Sequence, residues 1–455
     1  MNGPRIAVVG GGLAGIAAAV ACADAGAAVT LFESRRQLGG ATFSIRHDGY
    51  WLDNGQHIAL RCCTAYRSLL ARLGVADLLT VQERLDVPVL APGGRRATLA
   101  RYALPAPLQL APSLLRYGHL SAGERASALR AVARLRTLDP DDSALDGRTF
   151  GDWLRAHGQS ERAIGALWNL IALPTLNLGA DEASLQSAVF VFRTGLLDES
   201  DACDLAVPAV PLRELHTLPA KRALRAAGVE LRLRTRVRQV ESADDEFRVV
   251  LGDVSEQFER AIVAVPHDVA PRLLPDGIFD ARAAEQLGFS PIVNVHLVFD
   301  RRVLAYPIAA AVDSPVQWLF DRTSAAGLER GQLVSISLSS ATEHIGRTRD
   351  ELVGAMTAGL ADLLPAAQHA AVVDAYVTRE PRATFRAAPG TRPLRPGART
   401  ALPGLALAGA WTETGWPATM EGAVRSGRAA AEAVLALPRR RRSPESPKVA
   451  EVAAA

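Results

Sequence analysis

Only four cysteines occur in 455 residues, Cys22, Cys62, Cys63 and Cys203, and none forms a CxxC pair. Cys62 and Cys63 are adjacent and would join only through a strained ring, so neither a disulfide scaffold nor a zinc ribbon is expected, and no metal site. A reducing compartment fits that usage. An excess of one charge is lacking as well, the net charge being +3. The basic residues, nearly all Arg, are spread along the chain rather than gathered in a stripe, which sets nucleic acid aside. No basic leader precedes the apolar run Ile6–Val9, so no signal peptide is read and a cytoplasmic location is expected. No uninterrupted apolar span is present either: Asp24 breaks the stretch Leu13–Phe32, and Gly26 reads as a helix stop. What remains is a globular composition, 49% hydrophobic and 22% charged, on a chain long enough for two packed regions, or three, rather than one core.

The first forty residues read as a βαβ unit: a strand at Ile6–Val9, a Gly-rich turn, a helix of small residues over Ile16–Ala25 and a strand at Val29–Phe32. From Asp77 to Leu90 the pattern loosens, and Leu104–Leu115 is rich in Leu and Pro. Helical spacing over Ser121–Leu138 and Thr149–Leu173 makes residues 91–200 a mostly helical cap. Period-two alternation follows over Val229–Val240 and Glu246–Val250, and Ala261–Val265 reads as a buried strand ended by Pro266. Strand-like runs at Val293–Phe299 and Leu333–Leu338 precede a helix over Glu351–Leu364. A Pro/Arg/Gly-rich stretch at 388–404 leads to a short strand from Leu405 and a helix over Met420–Leu437. The tail 438–455 reads as a solvated, disordered end, with attraction of Arg439–Arg442 to anionic lipid as the alternative.

Gly10-x-Gly12-x-x-Gly15 lies between strand and helix, where backbone amides approach a pyrophosphate and the helix amino end favours negative charge. Glu33 closes the second strand at the distance where a carboxylate accepts hydrogen bonds from ribose hydroxyls. A second Gly-rich path follows, Gln37-Leu-Gly39-Gly40-Ala41-Thr-Phe-Ser44, and then Trp51-Leu-Asp53-Asn-Gly55-Gln-His57. Near the other end, Leu407-Ala-Gly409-Ala410-Trp411 runs into Gly415-Trp-Pro-Ala-Thr419-Met420-Glu421. With Thr419 as its cap, that helix would aim positive partial charge at the anionic ring of a reduced flavin.

On these motifs the chain resembles the FAD-dependent amine oxidase and phytoene desaturase superfamily, from about Arg5 to Leu437. Within it the chain resembles the hydroxysqualene dehydroxylase branch of hopanoid biosynthesis. That narrower likeness rests on Asp53-Asn-Gly-Gln-His-Ile-Ala-Leu-Arg-Cys-Cys-Thr-Ala-Tyr66, on Leu167-Trp-Asn through Leu176-Asn177 with Glu182-Ala-Ser184, and on Trp411–Gly427. The resemblance implies an α/β fold: a Rossmann-like FAD-binding domain from residues 1–90, 201–290 and 388–437, with a mixed α+β substrate domain and helical cap from 91–200 and 291–387. It implies that Gly10, Gly12, Leu13, Ala14, Gly15, Glu33, Gly39, Gly40, Ala41, Gly55, His57, Val237, Gly409 and Met420 lie along a non-covalently held FAD. It implies an isoprenoid substrate, upstream squalene-pathway enzymes as neighbours, and a peripheral membrane surface. Two positions depart from the family pattern: Ala41 stands where relatives carry an Arg, and Ala410 where they carry an acid.

His57 is the candidate proton donor; its alternative is a backbone-bonded structural role. His47, His119 and His267 lack ligand spacing and read as structural. Asp53 reads as an organiser of its turn. Trp411 and Trp416 read equally as pocket walls or as core. The segment Arg101–Tyr117 reads as an interfacial strip or as an ordinary packed helix. A carotenoid-type desaturase and a non-enzymatic prenyl-lipid escort are the competing functions.

Overall fold

The computed structural model describes residues 3–243 and 246–437; the tail read as disordered lies outside the described residues. Strands β1 (Arg5–Val9) and β2 (Ala28–Glu33) sit in a wholly parallel sheet ordered 230–233, β2, β1, 260–263, 405–407. Val8 lies between Leu31 and Ile262, and Val263 faces Leu407. Both faces of β1 are covered, so its apolar run is continuous instead of alternating. Ile6 and Val8 pack on helix α1 (Leu13–Asp24) and the carboxy-terminal helix Met420–Leu435, while Ala7, Val9 and Phe32 join the cluster on the opposite side. Enclosed on every side, α1 is apolar nearly all round. The chain runs from β1 to β2 on one side and returns to 260–263 on the other. That switch in direction opens a crevice beyond the carboxyl end of β1, where the Gly-rich turn lies.

A seven-stranded mixed sheet forms the second layer, ordered 372–384, 290–299, 332–338, 318–321, 308–311, 86–91, 95–100. Ser290–Phe299 is antiparallel to both its neighbours, with Val295 between Ile336 and Val377. Its two-residue period separates two buried faces. Val293, Val295, Leu297 and Phe299 cluster with Leu352, Met356 and Leu360 of helix Arg349–Leu363, whereas Asn294 and His296, equally buried, point the other way.

Three sequence expectations change. Asp86–Ala91 and Arg95–Ala100 form a hairpin at the edge of the mixed sheet, paired in parallel to Ile308–Ala311. Buried Val87, Val89 and Ala91 alternate on one face there, a short period-two signal hidden beside Pro88. The run Val229–Val240 is two strands, because Arg234 turns the chain at φ +57° between Glu230–Leu233 and Gln239–Ala243. The single helix expected over Thr149–Leu173 is broken at Gly158, φ +74°, with Thr149 and Ser160 each capping a new start. The second piece ends at left-handed Asn177. There the side chain bonds Ser290 O, Thr384 Oγ1 and Ser340 N, tying the helical region to the mixed sheet.

Candidate active site

The turn after β1 is held by Gly10 N–H to Phe32 O and by Ala264 N–H to Val9 O. Gly15 is glycine for packing, since a Cβ there would collide with the Gly10 carbonyl. Gly12 is different: a Cβ would meet only Gly40 Cα at 3.8 Å. Among the described residues only Gly40 comes near the space over Gly12, and no side chain caps α1, so the amide end carrying Leu13, Ala14 and Gly15 is left open to a bound anion. A pyrophosphate fits this position. Glu33 closes β2 with one carboxylate oxygen on Gly11 N–H (2.8 Å) and the other on Arg35 N–H (2.6 Å), which fixes it at the rim of the turn. Val237 is buried beside it, in the segment that Thr235 N–H ties to Glu33 O.

From the turn, hydrogen bonds lead across to the mixed sheet. Gly39 N–H reaches Gly11 O. Asn54 then clamps the second Gly-rich path, accepting Phe43 N–H and donating to Ala41 O, while its own carbonyl accepts from Asn294 Nδ2 and Thr378 Oγ1. Gly55 and His57 follow directly; the His57 Nε2 lies 3.3 Å from where a Gly55 Cβ would stand. Asp53 anchors the start of this loop by accepting from Ser44 Oγ, Leu212 N–H and the buried Arg322 guanidinium at 3.2 Å. Burial pushes the Asp53 carboxyl up and Arg322 opposes it. Such a pair fixes geometry more than it adds stability. A small recess beside the pair is lined by Trp51, Gln56, His296 and Ser335.

Three imidazoles belong to this region, His216 and His296 buried and His57 half-buried. Burial lowers His57 to about 4, and His216 and His296 each to about 3. All three are therefore neutral at pH 7, and His57 presents a neutral N–H rather than an imidazolium. His216 Nε2 is 2.8 Å from Tyr66 Oη, and His296 Nδ1 is 2.8 Å from Ser335 Oγ. Sequence reading missed His216, His296, Asn294, Tyr66 and Arg322, which come together only through tertiary packing. The alternation of Asn294 and His296 with Val293, Val295 and Leu297 was the one signal available.

At the carboxy-terminal end Thr419 caps its helix as expected, accepting Gly422 N–H at 3.1 Å, and places half-buried Met420 in the first turn. Gly409 ends strand 405–407 at φ +143° and donates its N–H to Ser426 Oγ. Glu413 does not stand in for the acid missing at Ala410, because it pairs with Arg395 at 3.2 Å and accepts Gly415 N–H. Trp411 is core, donating Nε1–H to Val265 O and lying against Phe279. Trp416 instead lines a small recess with Phe190, Phe385, Gln186 and Arg392. His119 and His267 bond backbone carbonyls, and His47 pairs with Asp374.

A profile of the family described as flavin containing amine oxidoreductase matches residues 13–435. The chain belongs to that family. It is an FAD-dependent oxidoreductase, with an isoprenoid-acting enzyme among several of its relatives. A hydroxysqualene dehydroxylase from Sinorhizobium fredii is 28% identical, over 95% of this chain and 98% of that protein. A 15-cis-phytoene desaturase from Glycine max is 27% identical, over 95% and 79%. A probable zeta-carotene desaturase from Synechococcus elongatus is 27% identical, over 95% and 98%. Among solved structures, putrescine oxidase bound to putrescine aligns with a TM-score of 0.72 at 20% identity, over 95% of this chain and 99% of that one. Cyclohexylamine oxidase from Brevibacterium oxydans gives 0.69 at 19%, over 95% and 98%. These two likenesses establish the fold.

Proposed function

We propose that the enzyme replaces an allylic hydroxyl by hydride, converting hydroxysqualene to squalene. The observation that carries this reading is neutral, half-buried His57 beside Gly55. An N–H donor there suits an oxygen that must leave, whereas dehydrogenation of a hydrocarbon offers no oxygen to bind. The C–O bond breaks with its electron pair on oxygen, which takes a proton and departs as water, and hydride fills the vacancy on carbon. Bound reduced FAD supplies that hydride. The chain holds the dinucleotide with the turn that Gly10 shapes, with the amides of Gly12, Leu13, Ala14 and Gly15, with Glu33, and with the segments at Gly39–Ala41, Gly55, Val237, Gly409 and Met420. It also orients the carbinol, relays a proton from solvent to the departing oxygen through His57, whose second nitrogen takes up a proton as the first gives one, and shields the cation from bulk water.

Anaerobic incubation of the enzyme with hydroxysqualene and chemically reduced FAD is expected to yield squalene. In heavy water the product carries deuterium on the carbon that lost oxygen. Absence of squalene, with phytoene instead converted to a more conjugated product, would assign the enzyme to the desaturases, which are equally similar in identity.

The same reading requires entry from lipid. Tyr102, Leu104, Leu108 and Leu115 are 38–56% exposed, four of the six large exposed hydrophobics among the described residues. Arg116 lies over the Tyr102 ring, placing a cation at the edge of this strip for anionic headgroups. Leu110 and Leu114 pack inward and take no part. No helix among the described residues is long and apolar enough to cross a membrane. Flotation with liposomes containing anionic lipid is expected for the native protein and lost in Leu108→Glu/Leu115→Glu; unchanged flotation of that folded variant would remove the membrane contact.

A further inference from the structure

Arginine is scattered along the sequence, but the fold gathers five of them at one rim. Thr235 N–H donates to Glu33 O (2.9 Å) and Arg234 N–H to Arg35 O (3.0 Å), so the segment 234–238 lies along the end of β2 and the residues after it. Arg234 is left-handed, at φ +57°, and turns the chain into that position. Exposure then alternates: Arg234, Arg236 and Arg238 are exposed, while Thr235 is half-buried and Val237 buried. Their guanidinium groups project to solvent beside exposed Arg35 and Arg36.

Just before this segment the chain neutralises its arginine: Arg232 pairs with both Glu230 and Glu256. None of the five does so among the described residues. Two acids lie beside them, and both are engaged. Glu33 accepts the amides of Gly11 and Arg35, and half-buried Glu380, near Arg35, accepts from Asn54 Nδ2 at 3.1 Å. The whole chain carries only +3, so five uncompensated cations at one rim make a local field rather than a share of a general excess. Through the Glu33 carboxylate this rim is joined directly to the glycine turn. Its field therefore reaches the opening over Gly12 even at physiological salt, where charge acts over about 8 Å. An anion entering there passes the arginines first.

We propose that Arg36, Arg234, Arg236 and Arg238, with Arg35 at their inner edge, capture FAD electrostatically, drawing its doubly negative pyrophosphate to the opening over Gly12 without holding it once bound. The proposal rests on that opening as the place of the dinucleotide, which Gly12→Val tests separately through flavin content. It is independent of the dehydroxylation reading.

The test mixes full-length apoprotein with FAD by stopped flow, with flavin fluorescence reporting uptake, and reads release separately on diluting the holoenzyme. For the native protein the association rate constant is expected to fall about tenfold from low to high salt. Arg36→Glu/Arg236→Glu/Arg238→Glu exchanges three exposed side chains that make no hydrogen bond among the described residues. It is expected to take up FAD at least about tenfold more slowly at low salt, with a flattened salt dependence and an unchanged release rate. Gln at the same three positions is expected to give an intermediate association rate, and it decides the question if the Glu variant fails to fold. Equal association rates at low salt for the native protein and either folded variant would overturn the proposal. So would a native rate indifferent to salt, or an unchanged association rate with faster release, which would make these arginines contacts of the bound cofactor.

Discussion

Along the parallel sheet the groups offered to a ligand are backbone amides, and along the mixed sheet they are buried side chains. The first set needs glycine and a helix end: Gly12 keeps a cradle open, and α1 begins there without a side-chain cap. The second set needs packing from distant segments: Asp53 meets Arg322 across 269 positions, and Asn54 meets Asn294 across 240. Cofactor binding and substrate chemistry are therefore expected to fail in different ways when the protein is altered.

The largest contrast lies within the glycine turn itself. Gly15→Val forces a side chain into the Gly10 carbonyl and is expected to prevent accumulation of folded protein. Gly12→Val meets open space and ordinary backbone angles, φ −74°. It is expected to fold, to match native apoprotein in thermal unfolding, and to lose FAD, read as loss of yellow absorbance. Full flavin content in Gly12→Val would reject the cradle, and its failure to fold would show that Gly12 serves packing as Gly15 does.

Acid separates the two regions next. The imidazoles at 57, 216 and 296 stay neutral in the fold to about 4, 3 and 3, whereas in the unfolded chain each titrates near 6.5. Above that value they have no effect; as pH falls below it, the unfolded chain takes up protons that the fold refuses. Stability of the apoprotein is expected to drop by up to roughly 4 kcal/mol per pH unit between about 6 and 4 from these three groups. Urea unfolding at several pH values measures the slope, and His296→Gln is expected to flatten it by about a third. An unchanged slope in that variant would mean that His296 is protonated in the fold.

A third experiment breaks the side-chain set while sparing the amides. Arg322→Leu leaves the Asp53 carboxyl buried alone and is expected to destabilise the protein by about 3–5 kcal/mol. Asp53→Asn/Arg322→Leu removes both charges and is expected to recover much of that loss. The double variant should keep its FAD yet turn over poorly, because the loop carrying His57 has lost its anchor. Loss of flavin in step with activity would place this pair in cofactor binding instead.

Legibility follows the same division. Gly10, Gly12, Gly15, Glu33 and the Thr419 cap are local, each readable from a few neighbouring residues, and β1, α1, β2 and the carboxy-terminal helix sit within a few positions of their expected bounds. The breaks at Gly158 and Arg234 were harder, because a helical or alternating pattern continues across each and only the backbone turn interrupts it. Tyr66 and His216 are 150 positions apart, and neither carries a local pattern. His57 is a candidate by its sequence neighbours, whereas its charge state is set by desolvation that no local pattern shows.

The smallest effect tests whether helix ends matter on the carboxy-terminal side as they do at α1. Thr419 accepts Gly422 N–H, and Thr419→Ala removes that bond while leaving the helix packed on α1. Cap loss is expected to lower stability by about 1 kcal/mol. The freed amide also changes what the helix end offers to FAD, whose reduced ring is anionic and favours positive partial charge beside it. If this helix end faces the ring, Thr419→Ala shifts the flavin midpoint potential as well as the unfolding midpoint. If the stability falls and the potential does not move, the helix supports the fold alone, and the amides that matter to the cofactor are those of the first turn.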